Sequence, residues 1–240
     1  MSTIIPKWQV HEESLEALDS QLVVTIDGPA GVGKSTLAKR LAAHLGYTYL
    51  DTGALYRGIA WKVKARNVDP TNLSQVEELL TKTTLGLTTG DHTLSVYVDK
   101  QDVTHELRSL AVSQLASTIA AHPPVRAWLL AIQRDFADKG GIVAEGRDMG
   151  TKVFPHAQVK FFLEADPDVR INRRYQELQE DDRGKNWDEV QREMAIRDER
   201  DRSREVAPLF PAADAIIIDT SNLSIDQVLT QMTEVVAAHQ

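Results

Sequence analysis

An apolar run, Leu22-Val23-Val24-Thr25-Ile26, leads into GPAGVGKST, Gly28 to Thr36, and then into a helix-period pattern carried by Leu37, Leu41 and Leu45. Buried strand, glycine-rich turn and helix in that order describe a phosphate-binding loop in its proper setting. Glycines at 28, 31 and 33 let backbone N–H groups turn inward, and the start of the following helix adds positive potential. Lys34 is placed to reach the outer phosphates of a nucleoside triphosphate, and the Ser35 hydroxyl to ligate Mg²⁺. A plain strand-to-helix turn would share the glycines but has no need of the Lys-Ser pair.

The rest of the chain alternates in the same way. Strand-like runs at Leu22–Ile26, Tyr47–Asp51, Ile142–Glu145, Gln158–Leu163 and Ala215–Ile218 are separated by helical patterns after the first run and at 107–121, 125–138, 167–179 and 225–238. Short buried strands divided by helices predict an α/β fold with a mostly parallel, doubly wound sheet. Thr71–Lys100 breaks the rhythm, and the stretch Leu85 to Val103 alternates like a small antiparallel hairpin around Thr89-Gly90-Asp91. It reads as an insertion between core strands.

Composition narrows the function. With 240 residues and 42% hydrophobic content, the chain can bury one large core with insertions. It has no cysteine, which excludes thiol nucleophiles and zinc-thiolate sites and suits a reducing cytoplasm. The net charge of −8 argues against broad nucleic-acid binding, which needs a basic face. No apolar run approaches the ~20 residues needed to cross a bilayer. Met1 to Ser20 carries acidic residues without the apolar core of a signal peptide. A soluble cytoplasmic protein, working as a monomer without membrane or nucleic-acid partners, is expected.

Three further clusters stand where ligands bind in such sheets. DTGALYRG, Asp51 to Gly58, follows the second strand and delivers a hydroxyl, a phenol and a guanidinium; a helix capped by Thr52 with a solvated Arg57 would use the same residues. EGRDMGT, Glu145 to Thr151, sends Arg147 and Asp148 off the end of another strand, though a surface turn also favours such residues. In IRDERDRSREVAPL, Ile196 to Leu209, a helix would align Arg197, Asp201 and Arg204 on one face and pair Asp198 with Arg202 on another. A solvated helix laced with salt bridges produces the same run. Against that, all the base here is arginine, whose fork suits phosphate and carboxylate.

Taken in order, GPAGVGKST, DTGALYR, PPVR at Pro123–Arg126, EGRDMGT, RDERDRSR at Arg197–Arg204 and APLFPAADAIIIDT resemble bacterial cytidylate kinases, over about residues 22 to 236. The resemblance implies a three-layer P-loop NTPase fold with a five-stranded parallel sheet, an acceptor-binding region (about 52–126) that includes the hairpin, and a helical lid (about 179–204). Segments 21–51, 127–178 and 205–240 would form the core. ATP would be held by Gly28, Pro29, Ala30, Gly31, Val32, Gly33, Lys34, Ser35 and Thr36, with Mg²⁺ shared between Ser35 and the phosphates.

By the same resemblance the acceptor is CMP or dCMP. Thr52, Arg126 and Asp148 would face the cytosine, while Arg57 and Arg147 would grip the acceptor phosphate beside Tyr56. Ser117, Arg197 and Asp201 would approach the sugar or its phosphate, and Arg204 would close over the site. Lys34, Arg147, Arg197 and Arg204 would supply the catalytic charge. The extension from Met1 to about Ser20 departs from the family pattern and is expected to be flexible. Other P-loop kinases, acting on a hydroxyl such as that of shikimate or gluconate, would share Lys34 and the lid arginines. A regulatory NTPase is a further alternative, although no N-K-x-D guanine-reading motif is present.

Overall fold

Two apolar strands flank the first one, and that arrangement fixes the molecule. The computed structural model describes residues 21–90, 93–137, 140–180 and 186–240. The expected N-terminal extension, Asp91 of the hairpin turn and 181–185 of the expected lid lie outside them. In chain order, β1 (Val23–Asp27) is followed by α1 (Lys34–Leu45), β2 (Thr48–Asp51), α2 (Thr52–Ala65) and α3 (Leu73–Thr81). Then come β3 (Leu85–Gly90), β4 (Thr93–Val98), β5 (Gln101–Asp102), α4 (Leu110–Ile119) and α5 (Pro123–Asp135). The chain finishes with β6 (Ile142–Gly146), β7 (Val159–Glu164), α6 (Pro167–Glu180), α7 (Trp187–Ser203), β8 (Ile216–Asp219) and α8 (Ile225–Ala237).

The main sheet has five strands in the order β2-β6-β1-β7-β8, every neighbouring pair parallel. Its strands fall where the apolar runs predict them, because a strand covered on both faces must be apolar nearly throughout. Successive residues point to opposite faces. Val24, Ile26 and Val143 join Leu37, Leu41, Val228 and Met232 beneath α1 and α8, whereas Ile142 and Ala144 join Leu55, Ile59 and Leu129 beneath α2 and α5. Helices therefore cover both faces, giving three layers.

The inserted segment folds back on the second of these cores. β3 and β4 form the expected antiparallel hairpin, and β5 adds a short third strand. Val96 and Val98 of β4 are buried with Leu85 against α2. Gly58 of α2 is needed for that approach, since a side chain there would come within 3.0 Å of Leu85. Two helices emerge that the apolar periodicity does not single out. α2 is capped by Asp51, whose side chain accepts from the Ala54 amide, so Asp51 takes the capping role that Thr52 offered. α3 is capped by Asn72 and buries Val76, Leu79 and Leu80.

All the parallel strands end at one edge, which brings Asp27, Asp51, Gly146 and Glu164 to the same side of the sheet. In open α/β sheets that edge is where ligands bind. α6 and α7 stand beyond it, joined by a small core of their own: Ile171, Leu178, Val190 and Met194, with Tyr175 edge-on to Trp187 at 5.7 Å. The polar sequence of this region suggests few apolar anchors, yet Val190 and Met194 provide them at helical spacing.

Candidate active site

The glycine-rich loop joins β1 to α1 by a path that only glycine fits at two points. Gly28 has φ 147°, and a Cβ there would lie 2.3 Å from the Leu163 carbonyl oxygen of β7. Gly31 has φ 79° and would collide with the Arg170 carbonyl at 2.7 Å. α1 then begins at Lys34 with no side-chain cap on Gly33, so its first N–H groups are left to whatever enters the cleft. The cleft has a volume of about 770 Å³, and Ala30, Gly31, Gly33, Lys34, Ser35 and Thr36 line one end of it. Three of the residues expected to hold ATP do not line it. Gly28 makes the turn against β7, Pro29 offers its carbonyl to Lys34, and Val32 is buried in the core.

Lys34 donates from Nζ to the Pro29 carbonyl at 2.6 Å. Burial drives its pKa well below the ordinary lysine range, and neighbouring Arg147 adds to the effect while Glu145 opposes it. Arg197 is also lowered, to about 10, first by burial and then by Arg147. These cations are crowded together with little access to water, and a polyanion entering among them reverses the sign of that cost. Beside them Glu145 accepts from the Tyr49 hydroxyl at 2.6 Å and from Ser35, and burial followed by Asp51 raises its own pKa. Tyr49 lies beneath the Lys39 ammonium, 5.6 Å from its ring centre.

The other end of the cleft contains every residue expected to bind the acceptor: Thr52, Tyr56, Arg57, Ser117, Arg126, Arg147, Asp148, Arg197, Asp201 and Arg204. Arg126 reaches down from α5 to form a buried ion pair with Asp148, donates to the Ala120 carbonyl at 3.1 Å, and lies 5.5 Å from the Tyr56 ring centre. Burial pushes the Tyr56 phenol up to about 12, so it stays protonated. Thr52 donates from Oγ1 to the Glu145 carbonyl at 2.7 Å, leaving its lone pairs available. Arg57 is held by Asp51 at 2.6 Å.

The α7 residues close this end. Asp201 accepts from Arg147 Nε at 2.8 Å, and although burial opposes ionisation, Arg147 and Arg197 hold its carboxyl below the usual range. Arg204 lies 3.6 Å from Asp148 and 3.8 Å from Asp201, and donates from Nε to the Ala207 carbonyl at 2.6 Å. Ala207 has φ 51°, a left-handed conformation uncommon for a residue with a side chain. Arg197, Asp201 and Arg204 all line the cleft, Arg204 from just past the end of α7, but the ion pairs differ from those the spacing suggests. Arg147 rather than Arg197 is the close ion partner of Asp201, and Asp198 pairs with Arg170 of α6 at 2.7 Å rather than with Arg202. Arg197 Nε is buried without a hydrogen-bond partner among the described residues.

Several lining residues were given no role by the sequence. Lys39, Tyr49, Asp51 and Glu145 join the cleft from α1, β2 and β6, while Arg173, Arg174 and Glu177 join it from α6. Lys39, five residues after the loop lysine on the same helix, and Glu145, leading the EGRD cluster, are the two that spacing could have pointed to.

A glycine-rich loop at the head of a parallel sheet, with its lysine and serine facing an arginine-lined cleft, defines a P-loop nucleotide-binding protein. Residues 24–238 match the cytidylate kinase family model. The chain is 43% identical over 210 residues to cytidylate kinase 1 of Haemophilus influenzae, covering 88% of this chain and 91% of that protein. It is 43% identical over 217 residues to the cytidylate kinase of Desulfitobacterium hafniense, covering 90% and 92%. Against the cytidylate kinase of Klebsiella pneumoniae it is 44% identical over 207 residues, covering 86% and 91%. The chain belongs to the cytidylate kinase family.

Proposed function

We propose that this chain is a nucleoside-monophosphate kinase, transferring the γ-phosphoryl group of ATP to CMP or dCMP to give CDP or dCDP and ADP. The observation that carries this reading is one continuous cleft, in which the phosphate loop faces the Arg126–Asp148–Thr52 group across Arg147 and Arg197. Phosphoryl transfer asks mainly for in-line positioning and charge stabilisation. The attacking oxygen belongs to a monophosphate whose second pKa is about 6, so at neutral pH it needs no general base. What opposes the reaction is repulsion between two anions, and Lys34, Arg147, Arg197 and Arg204 offset it.

The donor set at the loop suits a hard cation. Among the described residues no group of three or more His, Cys, Asp or Glu side chains could cage a metal. Ser35 supplies a hydroxyl oxygen at the start of α1, with the Glu145 carboxylate behind it. Mg²⁺, which keeps most of its ligands as water and phosphate oxygens, fits Ser35 with ATP better than an all-protein site. When bound it neutralises phosphate charge. A chain without cysteine suits a reducing cytoplasm, where we place the enzyme as a monomer.

The test is ADP formation across a panel of monophosphates. CMP and dCMP should drive turnover well above the rate with ATP alone, and UMP, which presents a different base edge to Arg126 and Asp148, should be poorer. Turnover that ignores the acceptor would replace a kinase with an NTPase.

For the sugar, Asp201→Ala should lower kcat/KM for both CMP and dCMP by about 10²-fold, because ribose contacts are lost and Arg147 loses its partner. Wild-type kinetics on both substrates would leave Asp201 a structural partner of Arg147 with no part in acceptor binding. The lid expectation has its own readout. Amide exchange along α7 should slow by about tenfold or more with a bisubstrate analogue, and less with ATP or CMP alone, as both phosphates draw in Arg197 and Arg204. Equal protection in the free enzyme would mean a fixed helix.

A further inference from the structure

Asp27 closes β1 immediately before the loop glycine, and it carries no part of the phosphate-loop motif. It is 4% exposed. One oxygen, Oδ1, accepts the Met149 amide at 2.9 Å, and the other, Oδ2, accepts the Gly150 amide at 2.8 Å. Those amides belong to the peptide units directly after Asp148, where the backbone leaves β6 and coils into a single π turn, Met149–Val153. The Asp148 carbonyl accepts from Lys152 and Val153, so the turn is tied at both ends. Space for this contact is made by Gly150, where a side chain would come within 3.2 Å of Lys160 and of Thr25.

We infer that Asp27 is a positioning residue for the acceptor site: its carboxylate bridges the end of the loop-bearing strand to the Met149 and Gly150 amides and so aims Arg147 and Asp148 at the monophosphate. The inference rests on the reading of Arg147 and Asp148 as acceptor-binding residues. Two further observations favour it over a role confined to packing. A carboxylate with both oxygens on consecutive amides fixes position and rotation of the turn together, which one neutral acceptor cannot do. The fold also works against the charged form. Burial pushes the Asp27 carboxyl up to about 6, Asp148 adds repulsion, and the two amides and Lys34 only partly compensate. With a folded-state pKa above the unfolded one, its contribution to stability falls as pH rises from about 4 to 6, so at neutral pH the charge costs stability. A purely structural site would be better filled by a neutral residue.

Asp27→Asn and Asp148→Asn, compared side by side, test this. In D27N one oxygen becomes an amide donor, so only one of the two N–H groups keeps a partner. KM for CMP should rise by about 10- to 100-fold while KM for ATP stays within about twofold. The amide proton of Met149 or Gly150 should also move upfield from its carboxylate-bonded position. A raised CMP KM in D148N with an unchanged one in D27N would overturn the bridge and leave the acceptor reading intact. An unchanged CMP KM in D148N would instead remove the acceptor reading. Equal increases of both KM values in D27N would overturn the proposal by assigning Asp27 to the phosphate loop. Should D27N fail to fold, the wild-type enzyme decides: the Met149 and Gly150 amide protons should shift together with one midpoint near pH 6. Independent or absent shifts would overturn the bridge.

Discussion

Lys34→Ala lowers kcat by about 10²–10³-fold or more, the scale of losing a preorganised charge from a transition state that spreads negative charge over three oxygens. The expectation follows from placement. Lys34 is the cation built into the loop itself, it is 6% exposed, and its Nζ donates to the Pro29 carbonyl of the same loop. Because burial already disfavours its charged form, removing the ammonium leaves the free protein no less stable. Steady-state kinetics and a thermal melt, run on the same sample, check both halves. Turnover within a few-fold of wild type would remove phosphate loop chemistry from the protein.

Arg126→Ala has the second-largest expected effect, and it divides between binding and stability. The guanidinium pairs with Asp148, lies near Tyr56 and donates to the Ala120 carbonyl at the base-facing end of the cleft. KM for CMP should rise by about 10²-fold with KM for ATP nearly unchanged, since donor and acceptor occupy separate ends. Truncating one partner of a buried ion pair also costs about 3–5 kcal/mol when the other charge is left alone. Arg204, 3.6 Å from Asp148, takes up part of that charge, so the lower end of the range is expected. Denaturant melts measure the stability change and nucleotide kinetics the binding change. Equal weakening of ATP and CMP would make Arg126 a scaffold residue.

The sheet and the loop were legible because each has a local signature. Strands buried on both faces must be apolar throughout, and the phosphate loop needs particular residues at fixed spacing. The same reasoning explains what escaped. α3 carries one and a half turns of apolar residues, Val76, Leu79 and Leu80, too short a stretch for periodicity to stand out beside the hairpin, though the Asn72 cap marked its start. Asp198 was mispaired with Arg202 because only the neighbours on its own helix can be counted from spacing; Arg170 arrives from α6. Asp27 belongs to none of the clusters, and its partners come from another strand and loop, 122 residues away for the Asp27–Met149 contact. Most residues that line the cleft were thus readable from motifs, whereas those that hold them in place needed the tertiary structure.

The small apolar core between α6 and α7 takes in Ala30 of the phosphate loop, where Arg170 also donates to the Ala30 carbonyl at 3.1 Å, and that has thermodynamic consequences. This pair of helices otherwise meets the rest of the protein chiefly through polar contacts: Arg147 with Asp201, Arg204 with Asp148, Gln114 with Glu193 at 2.7 Å, and Arg200 with Ser117 at 3.2 Å. Swinging such a unit outward uncovers little hydrocarbon, so the heat-capacity change is small and the balance between positions varies little with temperature. Mild denaturant, which acts in proportion to newly exposed surface, would also leave that balance nearly untouched. Added salt would not, because ions compete for the separated arginines and carboxylates and shield their attraction. If α7 opens and closes as a lid, ionic strength would tune that balance long before heat or urea loosens the fold.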